Sequence, residues 1–103
     1  DLGWIGRELL KELLKRGDID MPDEKLIDCG NSLFFADQDA HAGGSGCGCV
    51  ASVSCGWIMR RIESGELRRV LIAGSGAMLS PTSTQQGQSI PCISCAVCIE
   101  GRQ

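Results

Sequence analysis

The chain has 103 residues, 43% hydrophobic and 22% charged, with a net charge of −3 and a pI near 5.0. That length holds one domain with a thin core, and the acidic balance argues against nucleic acid as a partner. Seven cysteines, an odd number at positions 29, 47, 49, 55, 92, 95 and 98, sit among small and apolar residues, so free buried thiols are expected rather than a disulfide framework.

Charge is unevenly placed. Residues 1–28 hold thirteen of the twenty-three charges, and none falls in 42–59 or 70–99. These uncharged stretches are rich in Gly, Ser, Thr and Gln, which does not suit a membrane span. They read instead as buried in a protein or at a subunit interface. The chain opens at Asp1 in helical sequence without a Met, so it reads as a piece of a longer protein or one half of a paired fold.

Taken in order, Leu2 to Arg16 is the first helix. Ile5, Leu9 and Leu13 recur at i+4 beside Leu10 and Leu14 and make an apolar stripe. Asp1 is the expected N-cap and Gly17 the expected residue past the C-terminus. Asp18 to Lys25 is a polar loop. Leu26 to Asp28 and Ser32 to Phe35 are short strand candidates, followed by a turn over Ala36 to Ala40. Ser45 to Ser64 is the second helix, with Gly65 just beyond it. Gly44, Gly48, Ser52 and Gly56 fall at i+4 spacing. Glycine costs about 1 kcal/mol per helix-interior position, so the stripe points to close approach by another helix. With Val50, Val53, Trp57, Ile58 and Ile62 on the remaining surface, this helix is expected to lie buried at the centre of a layered fold. Val70 to Ala73 reads as a central strand, Gly74 to Ile90 as a long functional loop, and Cys92 to Ile99 as a last strand.

Four features bear on chemistry. The stretch His41 to Cys49, "HAGGSGCGC", places the amides of Gly43, Gly44 and Ser45 at the mouth of the second helix, where unpaired N–H groups and the helix dipole favour an anion. It lacks the Gly-x-x-x-x-Gly-Lys-Ser/Thr pattern of a nucleotide loop. His41, the only histidine, suits a general base or a donor to a carboxylate or oxyanion, against a structural role in the turn. Cys92-x-x-Cys95-x-x-Cys98 has the look of a metal run, with Cys47-x-Cys49 as a further ligand source. Strand alternation, however, points Cys95 away from Cys92 and Cys98, so no metal is expected. Cys47 and Cys95 are the candidate nucleophiles near His41. Ser80, Thr82 and Ser83, followed by Gln85-Gln86-Gly87, form a hydroxyl-rich segment able to satisfy a polar ligand, against capping of its own backbone.

The segments "DLGWIGRELL", "DCG", "QDAHAGGSGCGC", "GELRRVLIAGSGAMLSPTSTQQGQSIP" and "CIE" together resemble the C-terminal part of the stage V sporulation protein AD family over nearly the whole chain. The resemblance implies an α/β, thiolase-like fold. The chain would be a C-terminal fragment with a buried central helix packed on a mixed sheet. Residues 1–103 would form one part of that domain: an amphipathic helix over 1–17, then a strand–helix–strand–loop–strand unit over 26–100. His41 is similar in position to the histidine of the glycine turn in thiolases and ketoacyl synthases. Where thiolases bring in an acid/base cysteine, alignment of the glycines places Ile72. The resemblance therefore implies a non-catalytic protein without a cofactor that binds dipicolinic acid during its uptake into the developing spore. It implies a peripheral place at the spore inner membrane and work with other stage V sporulation proteins. A homodimer and the N-terminal half of the same fold complete the implied assembly, and the role of calcium beside the ligand stays open. Dipicolinate is a flat ring with two carboxylates, and by that chemistry His41, Gly43, Gly44, Ser45, Ser80, Thr82 and Ser83 are the expected ligand contacts. The family pattern "IPGIAHAV" is here "IPCISCAV", with Cys92 and Cys95 in place of Gly and His. The alternative is an acyl-transferring enzyme of the ketoacyl synthase or thiolase type, its nucleophile lying in an N-terminal half and His41 serving the acid/base or oxyanion step.

Overall fold

A computed structural model describes residues 3–44, 46–77, 80–89 and 92–102. The chain divides into two compact units, Asp1–Val53 and Ser54–Gln103.

The first unit opens with helix α1, Trp4–Arg16. Its start is set by Gly3, while the expected cap Asp1 lies outside the described residues. Gly17 has a φ of −88° and closes the helix with its amide on Leu13 and Leu14. The left-handed residue is the next one, Asp18, at 58°. The apolar stripe is present, yet no residue of α1 is buried. What anchors this helix is polar. The Arg7 guanidinium donates from Nε to the Leu26 carbonyl and from Nη2 to the Asp23 carbonyl, both at 2.9 Å. Lys11 Nζ meets Asp23 Oδ1 at 2.5 Å. This fixes the 3₁₀ turn Asp23–Lys25 against α1.

The strands expected at 26–28 and 32–35 do not form. Asp28 instead caps a short helix, α2, Cys29–Ser32. Its carboxylate accepts from the Asn31 amide at 2.7 Å, and the Ser32 hydroxyl donates to the Asp28 carbonyl at 2.8 Å. A side chain that pairs with the backbone three residues on competes with strand pairing. A 3₁₀ turn, Ala36–Gln38, fills most of the expected turn. It is followed by helix α3, Cys47–Val53.

The second unit begins with a π-helical segment, Ser54–Ile58, and helix α4, Met59–Glu63. Within the helix expected over Ser45 to Ser64, helical conformation runs over 47–63, with a π stretch inside it. Gly65 lies past its end at a φ of 79°, as expected. The expectation of burial all round is corrected. Val53, Ile58 and Ile62 are buried, whereas Cys55, Gly56 and Trp57 are exposed. A Cβ on Gly48 or Gly56 would meet nothing within 4 Å. At Gly48 and Gly56 the stripe of small residues therefore has no close neighbour among the described residues.

Strand β1, Arg69–Ala77, pairs antiparallel with β2, Cys92–Glu100, in register from Arg69 opposite Glu100 to Ala77 opposite Cys92. The sheet is a two-stranded antiparallel ribbon rather than a mixed sheet, and β1 has a single strand neighbour among the described residues rather than a central place. Leu71 and Ile93 are each 68% exposed. The expected long loop is interrupted by helix α5, Pro81–Gln85, because Ser80 and Pro81 supply a helix start with proline in the first turn.

Candidate functional site

In the first unit the glycine turn is built by backbone against backbone. The Trp4 amide donates to the Ala42 carbonyl at 3.0 Å, and the Gly44 amide to the Gly30 carbonyl at 2.9 Å. A Cβ on Gly3 would fall 1.6 Å from the Ala42 oxygen, and one on Gly30 1.9 Å from the Gly44 oxygen. Gly43, at a φ of 99°, lies against the backbone of Asn31 and Gly30. Three separate stretches of sequence, around Gly3, Gly30 and Gly43-Gly44, thus meet in one junction that leaves no room for a side chain at Gly3, Gly30 or Gly43.

The junction corrects one expectation. The amides of Gly43 and Gly44 were expected to face an anion. They are spent inside the turn, Gly43 on the Ala40 carbonyl at 2.9 Å and Gly44 on Gly30. Ser45 lies outside the described residues. What the junction presents outward is His41, whose side chain is 86% exposed. It sits at a φ of 51°, two residues after Asp39 at 47°. The imidazole Nδ1 lies 3.8 Å from Asp39 Oδ1, and that carboxylate is 89% exposed. A pair so open to water contributes little to stability, so the imidazole remains available to a ligand.

Cys29 packs near this junction, and burial pushes its thiol up, with Asp28 and Cys49 adding to the effect. A raised thiol is a poor nucleophile. Cys47 and Cys95 are exposed. The strand register puts Cys95 opposite Gly74 and Cys98 opposite Leu71, so Cys95 and Cys98 point to opposite faces of the ribbon. No group of three or more His, Cys, Asp or Glu able to hold a metal occurs among the described residues.

In the second unit, Ser80 precedes α5, and Thr82 and Ser83 lie in its first turn. Ser80 and Ser83 are half-buried and Thr82 is exposed. The Ser80 hydroxyl makes no capping bond. The Ser80 carbonyl accepts from Thr84 Oγ1 at 3.4 Å, and the Ser83 carbonyl from the Gln88 amide at 3.0 Å. The structure thus groups His41, Gly43 and Gly44 in one unit and Ser80, Thr82 and Ser83 in the other. Ile72 is a half-buried strand residue opposite Val97.

Residues 1–100 match the family described as Stage V sporulation protein AD (SpoVAD), and the chain belongs to that family. It is 39% identical over 100 residues to Stage V sporulation protein AD of Bacillus subtilis (strain 168). The match covers 97% of this chain and 29% of that relative, so the chain spans about three-tenths of the relative's length. The stretches that meet in the glycine junction are among those on which the sequence resemblance rests. No helix among the described residues is long and apolar enough to cross a membrane.

Proposed function

We propose that this chain is part of a sporulation protein that binds dipicolinic acid without transforming it, as a component of dipicolinate uptake into the developing spore. The observation that carries the reading is His41: an open imidazole held outward by a backbone junction that cannot shift without breaking Gly30 against Gly44. A flat dicarboxylate needs a donor fixed in place more than a deep pocket wall at that point. Gly43 and Gly44 serve by shaping the turn that presents His41, and their amides do not contact the ligand. Ser80, Thr82 and Ser83 are separate candidate contacts, with the Ser80 hydroxyl, which makes no capping bond to α5, foremost. The assembly that goes with this reading is a thiolase-like domain completed by an N-terminal half, paired as a homodimer, and placed peripherally at the spore inner membrane beside other stage V proteins.

The half-buried Ile72, at the strand position where the thiolase resemblance would require a cysteine, favours binding over acyl transfer. The test is a calorimetric titration of dipicolinate into the full-length protein and its His41→Asn variant. Asparagine tolerates the left-handed backbone that His41 adopts, so the substitution removes the imidazole without straining the turn. Saturable binding weakened about tenfold or more by His41→Asn is expected, the loss of a hydrogen bond to a charged group. A folded full-length protein that does not bind dipicolinate sinks the reading, and a covalent acyl adduct on it would support the enzyme instead.

A further inference from the structure

We infer that the second unit carries a site of its own for a small organic carboxylate, in the cleft between Arg68 and Arg102 at the end of α4. The cleft measures about 690 Å³, within the range of small-molecule sites. Ile62, which is buried, and the half-buried Leu67 give it an apolar wall. Three arginines border it, and one is neutralised: Arg69 Nε lies 2.6 Å from Glu100 Oε1 across the strand pair. Arg68 and Arg102 have no ion pair or side-chain hydrogen bond among the described residues.

The two spare arginines are brought together by backbone. The Gly101 amide donates to the Arg68 carbonyl at 2.9 Å. A Cβ on Gly101 would lie 3.1 Å from Ile62 Cγ2, so the chain runs tight against the apolar wall just before Arg102. The surrounding charge points the same way. Residues 54–103 hold five arginines and three glutamates, a net positive unit within a chain of net charge −3. A guanidinium matches a carboxylate with two parallel N–H bonds, and the apolar wall favours a ligand with a ring or short chain behind it. A compact anion such as phosphate uses the arginines and leaves Ile62 and Leu67 without a partner. This site does not depend on the reading of His41.

The test is a titration of benzoate into the full-length protein, followed by NMR, with acetate and inorganic phosphate as contrasts. Saturable benzoate binding is expected, with affinity at least tenfold lower in the R68A/R102A double variant and unchanged in Arg60→Ala. Acetate and phosphate should bind at least several-fold more weakly. The inference is overturned if folded protein shows no saturable benzoate binding, if the double variant binds as well as the wild type, if phosphate binds as tightly as benzoate, or if His41→Asn removes the binding. Dipicolinate is kept out of this titration, so the two readings stand or fall separately.

Discussion

Gly30 and Gly44 are joined twice: the Gly44 amide donates to the Gly30 carbonyl, and the Gly44 carbonyl oxygen occupies the place where a Gly30 side chain would begin. Gly30 lies within α2, outside the positive-φ region, so alanine is conformationally acceptable there. The cost of Gly30→Ala is therefore steric, backbone against Cβ at 1.9 Å. A loss of about 1–3 kcal/mol or more is expected, as for overpacking of a filled site, read by chemical denaturation. A neutral outcome would mean the junction yields, and His41 would then not be held.

Gly48 gives the opposite case. It lies inside α3, and a Cβ there meets nothing within 4 Å. Gly48→Ala should stabilise this chain by about 1 kcal/mol, the difference in helix propensity. In the full-length protein the same substitution discriminates further. Destabilisation there would show that another helix packs on the small-residue stripe, as the sequence suggested, and stabilisation would show that the stripe stays open.

The Asp28 carboxylate on the Asn31 amide, at 2.7 Å, is the cap that turns an expected strand into a helix. Asp28→Ala should cost about 1 kcal/mol, visible as a lower denaturation midpoint, whereas Asp28→Asn should recover most of it. An equal loss in both variants would place the effect elsewhere.

These elements show what the sequence made legible. Periodicity marks α1 and the helical run over 47–63, while the short apolar run Val70 to Ala73 marks only the first part of β1, and the segment Cys92 to Ile99 matches nearly all of β2. In 26–35 the apolar pairs Leu26-Ile27 and Phe34-Phe35 suggest strands, whereas the deciding signal is the Asp28-to-Asn31 spacing of a cap, present in the sequence but weak beside hydrophobicity. The helix α5 was likewise announced by Ser80-Pro81 and passed over for want of apolar residues. At the candidate site, the glycines and His41 were visible. That the Gly44 amide is spent was not, because its acceptor, Gly30, lies far away along the chain and only the fold brings it close.

Asp39 stands 3.8 Å from His41 and carries a negative charge where the proposed ligand is a dianion. Removing that charge should strengthen binding. Asp39→Asn keeps a residue suited to the left-handed backbone, and both side chains are exposed, so stability should change by less than about 0.5 kcal/mol. A several-fold tighter dipicolinate titration at low salt is expected, with the gain fading as ionic strength rises. Unchanged affinity at low salt would place the ligand away from His41.

The Lys11–Asp23 pair makes stability depend on pH at both ends of the scale. The hydrogen bond to Lys11, and then its charge, lowers the Asp23 carboxyl below its ordinary 3.8. The same hydrogen bond, with the Asp23 charge, raises the Lys11 ammonium above 10.5. A depressed carboxyl contributes stability that is fully present above its unfolded pKa and is lost as pH falls through its folded one. A raised ammonium contributes stability that is fully present below its unfolded pKa and is lost as pH rises through its folded one. The contribution of the pair is thus full between 3.8 and 10.5 and vanishes on either side. Both groups are open to water, so the contribution is small and salt weakens it. The measurement is the difference in denaturation midpoint between wild type and Asp23→Asn across this range. The difference should be constant at intermediate pH and close toward zero below 3.8 and above 10.5. A difference near zero already at intermediate pH would mean that the carbonyl contacts of Arg7, and not the ion pair, hold α1 to the 3₁₀ turn.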